Sequence, residues 1–386
     1  MASLPSDMPS VDERYRSALD ALTRDARLRS LHPRQGIDFV SNDYLALAES
    51  PRLRQAVIAA IDAGTPIGAG GSRLLRGNCA EHEQLEAQAA AFFKAESALY
   101  FGAGYSANFA ALSTLPQRGD LLVMDELSHA SMREGAKASR AEIVESHHNN
   151  SDAVEDAIRA YRANGGKGRP WIAVESIYSM DGDIAPLDEL MQIADRHDGF
   201  LYIDEAHATG VFGPDGRGLS APFEGRANVV AVHTCGKALG ASGALVLTTK
   251  LLRDFLVNRS RPFIFATAPS PLMAVAVGEA LNILREEPER RERLHDLIAL
   301  AGRIIGAQGW TPSGTQIIPY LVGHNDRTMA LASALQRRGF DIRGIRPPTV
   351  PAGTARLRIS LTLNASADDL QSMLAALAEE AHTLPA

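Results

Sequence analysis

Short apolar runs alternate with longer amphipathic stretches between about residue 85 and residue 250. The runs read SALYF, LLVMD, AEIVES, PWIAVES, GFLYID, VVAVHT and GALVLT, and helical stretches such as DAVEDAIRAYRAN and LDELMQIADRHD separate most of them. Apolar runs without polar alternation are typical of strands buried on both faces. The pattern therefore predicts an α/β fold with a mostly parallel central sheet.

The two ends of the chain follow other patterns. Residues 12–30 are predicted to form a charged amphipathic helix, and residues 271–308 a long helix broken or kinked near Pro288. Beyond it, strand-like and helix-like segments mix in α+β fashion. We expect three parts: an N-terminal helix and arm (1–50), a large domain (51–285) and a small C-terminal α+β domain (286–386).

Composition narrows the class of protein. The 386 residues are 45% hydrophobic and 22% charged, which is ordinary for a soluble globular chain. A net charge of -7 with scattered Lys and Arg residues argues against nucleic acid as the main partner. Two cysteines, Cys79 and Cys235, without zinc-like spacing favour a reducing compartment and no metal site. The sequence has no signal-peptide core and no apolar window of membrane length, so we expect a cytoplasmic protein that does not enter a membrane.

A glycine-rich turn lies between a predicted strand and a predicted helix. The segment LYFGAGYSANFAAL fits the pattern G-x-G-x-x-A, and Asp125 follows about 20 residues later, as in dinucleotide-binding sites. The physical basis is broader, because a glycine turn at a helix N-terminus presents free N–H groups to any phosphate. The segment could also be only a tight turn packed on the sheet.

The letters DEAH in LYIDEAHATGVFG also label a class of helicases. That interpretation requires a P-loop, which the sequence lacks, so a helicase is excluded. What remains is a predicted strand that ends at Asp204, with His207 three residues later. Ligands bind at the carboxyl ends of strands in open α/β sheets, and a buried aspartate needs a donor or a cation. Asp204 could instead only cap the next segment.

Other candidate residues follow other predicted strands. His129 lies in DELSHASMREG, and Ser176 and Ser179 lie in VESIYSMDGDIAP; each alone is as well explained by a helix cap or a turn. Lys237 lies among small residues in VVAVHTCGKALGASGALVLTT. Six candidates follow successive predicted strands: Gly104, His129, Ser179, Asp204, His207 and Lys237. Their convergence on one sheet edge is the main functional signal.

One chemistry uses these residue types together. A lysine that forms a Schiff base and an aspartate that holds a pyridinium nitrogen are the arrangement expected for pyridoxal 5′-phosphate (PLP). Lys237 and Asp204 would take these roles, and the ring of His129 could stack on the cofactor. The turn at residues 104–105 and Thr234 would hold the phosphate. The small residues around Lys237 would leave room for the ring.

The motifs SNDYLAL, GAGGSRLLRGN, SHAS, SIYSMDGDIAPL, DEAHATGVFG, TCGKALG and IRPPTVPAGTARLRISLT extend over nearly the whole chain. As a set they resemble the α-oxoamine synthases, which are fold-type I PLP-dependent transferases. The last motif is most similar to the members that join L-alanine to a pimeloyl thioester in biotin synthesis. The relatives that make 2-amino-3-ketobutyrate, 5-aminolevulinate or 3-ketosphinganine share the PLP motifs but differ in this segment.

The resemblance implies roles for individual residues. The implied catalytic residues are Lys237, His129, Asp204 and His207. The implied cofactor-binding residues are Gly104, Tyr105, His129, Ser179, Asp204, His207, Thr234, Lys237 and Thr267. The implied substrate-binding residues are Arg29, Asn42, His129, Arg346, Thr349 and Arg358, with Arg358 on the carboxylate of the amino acid. Arg29 is one of several arginines in RDARLRSLHP that fit this place.

Two positions depart from the family pattern. Cys235 stands where the family often has an aromatic or another small polar residue, which is expected to alter packing under the cofactor. In FATAP, residues 265–269, only Thr267 keeps a hydroxyl in a segment that usually reads Ser-Thr and reaches the phosphate of the neighbouring subunit.

The implied reaction joins L-alanine to a pimeloyl thioester with loss of CO₂, in a homodimer whose active site lies at the subunit interface. The thiol is either CoA or a carrier protein. Three alternatives remain: another α-oxoamine synthase with a different amino acid or acyl-CoA, an NAD-dependent oxidoreductase that uses GAGYSA, and a catalytically silent binding subunit. The last is disfavoured because Lys237, Asp204 and His207 are all present.

Overall fold

A computed structural model of the chain describes residues 11–383. The α-helices are α1 Val11–Arg24, α2 Pro51–Asp62, α3 Ala80–Phe92, α4 Gly104–Thr114, α5 Ala130–Lys137, α6 Ser151–Ala163, α7 Leu187–Arg196, α8 Lys250–Arg259, α9 Arg261–Ile264, α10 Pro271–Glu286, α11 Glu289–Ala307, α12 Asn325–Arg337 and α13 Ala367–Thr383. The strands are β1 Ile37–Asp38, β2 Ser97–Phe101, β3 Leu121–Asp125, β4 Glu142–Ser146, β5 Pro170–Glu175, β6 Phe200–Asp204, β7 Val229–Thr234, β8 Ala244–Thr248, β9 Ile317–Gly323, β10 Phe340–Asp341, β11 Gly344–Ile345 and β12 Ala355–Ser360.

The central sheet contains the seven apolar runs that the sequence pattern marked as strands. Its order is β2-β8-β7-β6-β5-β3-β4. Strands β3 to β7 pair in parallel, whereas β8 is antiparallel to both β2 and β7. The prediction of a mostly parallel sheet is therefore confirmed, with β8 as the exception. Because parallel strands all end at one edge of a sheet, the residues that follow β3, β5, β6 and β7 are brought together there.

Helices cover both faces of this sheet. One face of the sheet packs on α4, α5 and α8 through side chains such as Leu112 and Leu256. Strands β3, β5 and β6 pack on α6 and α7 through a separate apolar cluster. A larger apolar core extends from α3 and α10 into the C-terminal elements. The strands are apolar without alternation because both of their faces are buried.

The C-terminal elements form a second, smaller α+β unit. Strands β11, β12 and β9 form an antiparallel sheet, and α12 contacts both this sheet and α13. Strand β1 pairs in parallel with β10, so residues 37–38 are hydrogen-bonded to this unit. The division at residues 50 and 285 stays a prediction.

Of two helical stretches predicted from the sequence, the break near Pro288 is observed, whereas the N-terminal helix is shorter than predicted. The long helical stretch is broken as expected, because α10 ends at Glu286 and α11 starts after Pro288, which lacks an N–H and cannot continue a helix. The N-terminal helix was predicted over residues 12–30 and this extent is wrong, since α1 ends at Arg24. Ala26 adopts a left-handed conformation, and the N–H of Arg27 closes the last turn on the carbonyl of Leu22.

No helix within residues 11–383 is long and apolar enough to cross a membrane.

Candidate active site

The carboxyl ends of the parallel strands border one cavity of about 290 Å³, close to the lower end of the range of small-molecule sites. We call it the strand-end cavity. It is lined by residues that end or follow β2, β3, β5, β6 and β7. Seven predicted site residues line it: Gly104, Tyr105, His129, Asp204, His207, Thr234 and Lys237. Of the six residues predicted to converge on one sheet edge, five line this cavity, and Ser179 does not.

Lys237 follows β7 and lines this cavity, where its side chain is half-buried. Its Nζ lies 2.9 Å from Nε2 of His207. Burial lowers the pKa of Lys237 to about 8, because an ammonium loses hydration there; the carboxylates of Asp204 and Glu175 only partly oppose this. A lysine with such a pKa is an available nucleophile and proton acceptor near neutral pH. Lys237 is thus not a solvated surface residue.

His207 connects Lys237 to a second buried group. Burial lowers the pKa of His207 well below its ordinary value, and the positive charges of Lys237 and Arg358 act in the same direction. Its Nδ1 lies 2.6 Å from the hydroxyl of Tyr44, and this hydroxyl donates to Oδ1 of Asn42 at 3.0 Å. Because that hydroxyl proton is used on Asn42, the hydrogen bonds favour the tautomer with the proton on Nδ1. The lone pair on Nε2 then faces Lys237.

Asp204 ends β6 and is buried. Its Oδ1 accepts the N–H of Ala206 at 2.9 Å, so it does cap the following segment. Its Oδ2 accepts Nδ2 of Asn108 at 2.6 Å. The amide of Asn108 can have only one orientation, since its Oδ1 accepts the hydroxyl of Tyr202 at 2.6 Å. This carboxylate can therefore cap the following segment and also act in the cavity.

His129 precedes α5 and borders the same cavity. Its Nδ1 accepts the N–H of Ser131 and lies 2.7 Å from the hydroxyl of Ser131, which caps the helix and fixes the ring. Burial lowers the pKa of His129, and nearby Lys237 contributes to this while Asp204 opposes it. A neutral imidazole held in this way is suited to stacking on an aromatic ligand.

The glycine turn leads directly into α4. Gly104 is the first residue of the helix, and Ala103 before it provides no side-chain cap. A Cβ at position 104 would lie 2.6 Å from Cγ2 of Thr234, so only glycine fits against this threonine. The first residues of this helix, whose N–H groups have no intrahelical acceptor, line the cavity together with Thr234. This part of the cavity fits a phosphate group.

The aspartate required for a dinucleotide site is used elsewhere. The carboxylate of Asp125 accepts the N–H groups of Leu127 and Asn149 and is paired with His148. It does not line the strand-end cavity. The match to a dinucleotide fingerprint is therefore a property of the spacing alone, because the tertiary structure leaves this carboxylate no role in binding a ribose.

Arg358 on β12 is buried beside the cavity. Its Nε donates to the carbonyl of Ser179 at 2.5 Å and its Nη1 to the hydroxyl of Ser360 at 2.6 Å. Its Nη2 has only a long contact of 3.5 Å to the hydroxyl of Tyr44. Ser179 is buried next to the cavity without lining it. One edge of the guanidinium is thus fixed, and Nη2 is the group with capacity for another acceptor.

The remaining predicted substrate residues form a separate group. Arg29 donates from Nη2 to Oγ1 of Thr349 at 3.1 Å, and Arg346 donates to the carbonyl of Ala26 at 2.6 Å. Burial lowers the pKa of Arg346, and the charge of Arg29 adds to this effect. None of the three predicted residues lines the strand-end cavity. The structure brings the N-terminal arm and the proline-rich turn together.

Three other residues lie outside the cavity. Thr267 is exposed in the loop between α9 and α10 and does not reach it. Cys235 packs in the apolar core, so its side chain does not lie under a ligand in the cavity. Of the small residues around Lys237 that were expected to leave room for a ring, Gly236 lines the cavity, whereas Gly240 does not. Gly240 has a positive φ of 61°, and a Cβ there would lie 2.3 Å from the backbone of Leu47.

Sequence reasoning missed several polar residues of the site, namely Tyr44, Asn108, Ser131 and Glu175. Asn108 and Glu175 line the cavity and are almost fully buried. A signal existed for Asn108, because an amide inside the apolar stretch YSANFAAL is unusual for a buried helix and implies a partner. Glu175 carries a similar signal as a charged residue at the end of an apolar strand.

The chain is similar to known proteins over nearly its whole length. The family model described as aminotransferase class I and II matches residues 34–377. A protein of Chromobacterium violaceum named 8-amino-7-oxononanoate synthase is 40% identical over 384 residues, which cover 97% of both chains. A protein of Aromatoleum aromaticum with the same name is 41% identical over 97% of both chains.

A solved structure of SPT with PLP as its internal aldimine has the same architecture. It superposes with a TM-score of 0.86 at 25% identity and covers 99% of both chains. This likeness and the family match confirm the predicted fold-type I transferase fold. The chain therefore belongs to the class I and II aminotransferase family.

Proposed function

We propose that the protein uses PLP to condense L-alanine with a pimeloyl thioester, which gives 8-amino-7-oxononanoate, CO₂ and the free thiol. The single observation that carries this proposal is the strand-end cavity, in which Lys237, Asp204 and His129 surround a space that ends at the Gly104 turn. The names of the relatives at about 40% identity support the choice of substrates.

The residues present fit PLP. The first turn of α4 and Thr234 would hold its phosphate, His129 would stack on its ring, and Asp204 would keep a proton on its ring nitrogen. Bound PLP supplies an electrophilic carbonyl carbon and a pyridinium that withdraws electrons from the substrate Cα. Asp204 is suited to its role because Asn108 fixes one carboxylate oxygen while the carboxylate borders the cavity.

Lys237 is the proton carrier in this proposal. Its lowered pKa of about 8 leaves a fraction of the Nζ amine neutral near neutral pH, so it can take the proton from Cα of the amino acid and return a proton to the product. His207 and Tyr44 hold the amine from the other side through the chain of contacts at 2.9 and 2.6 Å.

Arg358 is proposed to bind the carboxylate of L-alanine. Nη2 is its least engaged nitrogen, and a carboxylate there would gain a charge-assisted hydrogen bond. Asn42 and His129 would border the same substrate. These assignments rest on the placement of the residues and on the family resemblance.

The acyl substrate is proposed to lie near Arg29, Arg346 and Thr349. Two arginines meet there at one side of the proline-rich turn. A pimeloyl chain carries a distal carboxylate, so cations suit it better than they suit an acetyl or a fatty acyl chain. Each charge-assisted hydrogen bond contributes about 1.5–3 kcal/mol, or about ten- to hundredfold in selectivity.

We also propose that the protein is a cytoplasmic homodimer. Residues 67–75 and 265–270 touch each other, since the N–H of Ala268 donates to the carbonyl of Gly71. These segments expose four large apolar side chains: Ile67, Leu74, Leu75 and Phe265. Clustered exposed apolar side chains are typical of an interface. Thr267 lies in the same segment and would reach the phosphate site of the partner subunit.

Competition among substrates tests the proposed function. The purified protein loaded with PLP is mixed with L-alanine, glycine and L-serine in equal amounts, and with pimeloyl-, acetyl-, succinyl- and palmitoyl-CoA in equal amounts, and the products are identified by mass spectrometry. We expect 8-amino-7-oxononanoate to dominate. Dominant products from any other amino acid or acyl group would refute the choice of substrates and leave the PLP chemistry standing.

A second candidate is a serine palmitoyltransferase-like activity, which the structural likeness to SPT favours. It predicts 3-ketosphinganine as the main product of the same mixture. Sequence identity separates the two candidates, since it is about 40% to the 8-amino-7-oxononanoate synthases and 25% to SPT.

A further inference from the structure

Glu175 is a buried carboxylate in the wall of the strand-end cavity that the proposed mechanism does not use. It ends β5 and is 2% exposed. Its Cα is in register with that of Asp204 on the neighbouring parallel strand, so the two side chains leave the sheet on the same face. A second carboxylate at this place requires a reason, because burial of a charge beside a like charge is costly.

Each oxygen of Glu175 binds the backbone of a different loop. Oε1 accepts the N–H of His129 at 2.7 Å, in the loop between β3 and α5. Oε2 accepts the N–H of Ser179 at 3.2 Å, in the loop that follows β5 itself. Hydrogen bonds from backbone N–H groups to a carboxylate are stronger than those to a neutral acceptor. One side chain therefore fixes the distance between two loops.

Both loops carry site residues. His129 presents its ring to the cavity from the loop that Oε1 binds. The carbonyl of Ser179 accepts Nε of Arg358 at 2.5 Å, so the loop that Oε2 binds also fixes the guanidinium. Glu175 therefore holds, through one hydrogen bond, the loop of His129, whose ring would stack on PLP. Through the other it holds the loop that fixes Arg358, which would bind the carboxylate of the amino acid.

The groups around Glu175 shift its pKa in opposite directions. Its pKa is raised to about 8, because burial and the negative charge of Asp204 together outweigh the groups that lower it. Lys237 and the two N–H groups act in the opposite direction. Tyr178 is the other titratable group whose pKa Glu175 influences. The cation and the backbone donors thus offset part of the burial cost.

We propose that Glu175 is a positioning residue that sets the places of His129 and, through Ser179, of Arg358. The inference rests on the proposed function for the identity of the two ligands that are affected, PLP and the amino acid. It predicts that loss of one N–H acceptor weakens the binding of these two ligands and spares the acyl thioester, whose proposed residues Arg29, Arg346 and Thr349 have no contact with Glu175.

Glu175→Gln tests this with little change in volume. Glutamine keeps one acceptor oxygen but turns an NH₂ group toward the other backbone N–H, so one of the two bonds is lost. Glu205→Gln is the matched control. Glu205 is also fully buried and accepts the N–H groups of Leu219 and Ser220, but it does not line the cavity. A general effect of a buried Glu→Gln change appears in both variants.

Four quantities are measured for wild type and both variants: the Kd of PLP for the cofactor-free protein by fluorescence titration, the KM of L-alanine, the KM of pimeloyl-CoA and the melting temperature. For Glu175→Gln we expect the Kd and the alanine KM each to rise at least fivefold, with the pimeloyl-CoA KM within twofold of wild type. For Glu205→Gln we expect all three constants within twofold. Glu175→Asp, which keeps the carboxyl group on a side chain shorter by one methylene, is expected to shift the same two constants by a smaller factor.

The proposal is overturned if Glu175→Gln changes only the melting temperature, or if all three ligand constants rise by one common factor as in a general loss of structure. The PLP titration needs no substrate, so it separates this inference from the proposed function. If wild type prefers another amino acid, the proposed substrate is wrong, while the comparison of Kd values and of that amino acid's KM still decides the role of Glu175.

Discussion

At the scale of single residues, the chemistry depends on the pKa of Lys237 and on the orientation of the Asp204 carboxylate. Lys237 is a stronger candidate for a nucleophile than the exposed lysines because burial lowers its pKa to about 8 and His207 holds its Nζ at 2.9 Å. Asp204 stays oriented because Asn108 and Ala206 each bind one of its oxygens. Two predictions follow from these contacts, one for each residue.

Lys237→Ala is expected to abolish turnover and the borohydride-stable bond between protein and cofactor, since the amine that forms this bond is removed. The measurement is the mass of the protein after incubation with PLP and reduction with borohydride. Lys167→Ala, at an exposed lysine, is the control and should label like wild type. Continued labelling of the Lys237→Ala variant in the same active site would show that another lysine is the anchor.

Asp204→Asn is expected to reduce kcat at least about a hundredfold, or about 2.7 kcal/mol of barrier, because a neutral amide no longer keeps the ring nitrogen protonated. Covalent attachment of PLP should persist. Asp198→Asn is the control, since Asp198 is exposed and its positive φ of 52° suits asparagine. A rate of the Asp204→Asn variant near that of wild type would mean that Asp204 serves only as a cap.

At the scale of elements, the site is built from the loops that follow the strands, and buried side chains fix these loops to one another. His148, after β4, is an example away from the cavity. It lies 2.9 Å from the carboxylate of Asp125 at the end of β3 and 2.6 Å from that of Asp183 in the loop after β5. Burial alone would lower the pKa of His148, but the two carboxylates outweigh it and raise the pKa to about 10.

A raised pKa in the folded state means that the protonated form stabilises the fold. This contribution is fully present below the unfolded pKa of about 6.5 and is lost as the pH rises through about 10. We expect about 1 kcal/mol, because solvent screens this half-buried group. The free energy of unfolding of wild type should fall more between pH 7 and pH 10 than that of His148→Asn. Parallel curves for the two proteins would contradict the ion pair.

At the scale of the whole molecule, the N-terminal arm and the small sheet complete a site that the central sheet begins. Tyr44 comes from the segment after β1 and contacts His207, which lines the strand-end cavity. Arg358 comes from β12 and binds the carbonyl of Ser179 next to that cavity. The exposed apolar side chains on segments 67–75 and 265–270 form the surface that we propose to be the dimer interface.

The double substitution Leu74→Glu and Leu75→Glu is expected to weaken self-association at least tenfold, because charges would be buried in the interface. Sedimentation velocity over a range of concentrations measures this. Leu251→Glu is the matched control, since Leu251 is 78% exposed against 85% for Leu75 but lies on α8, outside both segments. An unchanged dimer in the double variant, or a monomeric wild type, would contradict the proposed interface.

The amino-acid sequence determined the central strands and the order of the site residues along the chain. Strands buried on both faces require uninterrupted apolar runs, so their places are visible locally. The residues that end these strands, Asp204 among them, could be predicted to meet because parallel strands end at one edge. The Gly104 turn was visible as a glycine pattern between a strand and a helix, but the reason that position 104 requires glycine, the contact with Thr234, is tertiary.

The tertiary structure alone decided which buried polar groups hold the site together. Glu175 and Asn108 act through partners 46 and 96 positions away in the chain, and no local pattern encodes such a distance. It also decided that Asp125 pairs with His148 rather than with a ligand, and that α1 ends at Arg24. Periodicity reports which face of an element is buried, whereas a hydrogen bond depends on which elements the fold brings together, and only the packed chain specifies that.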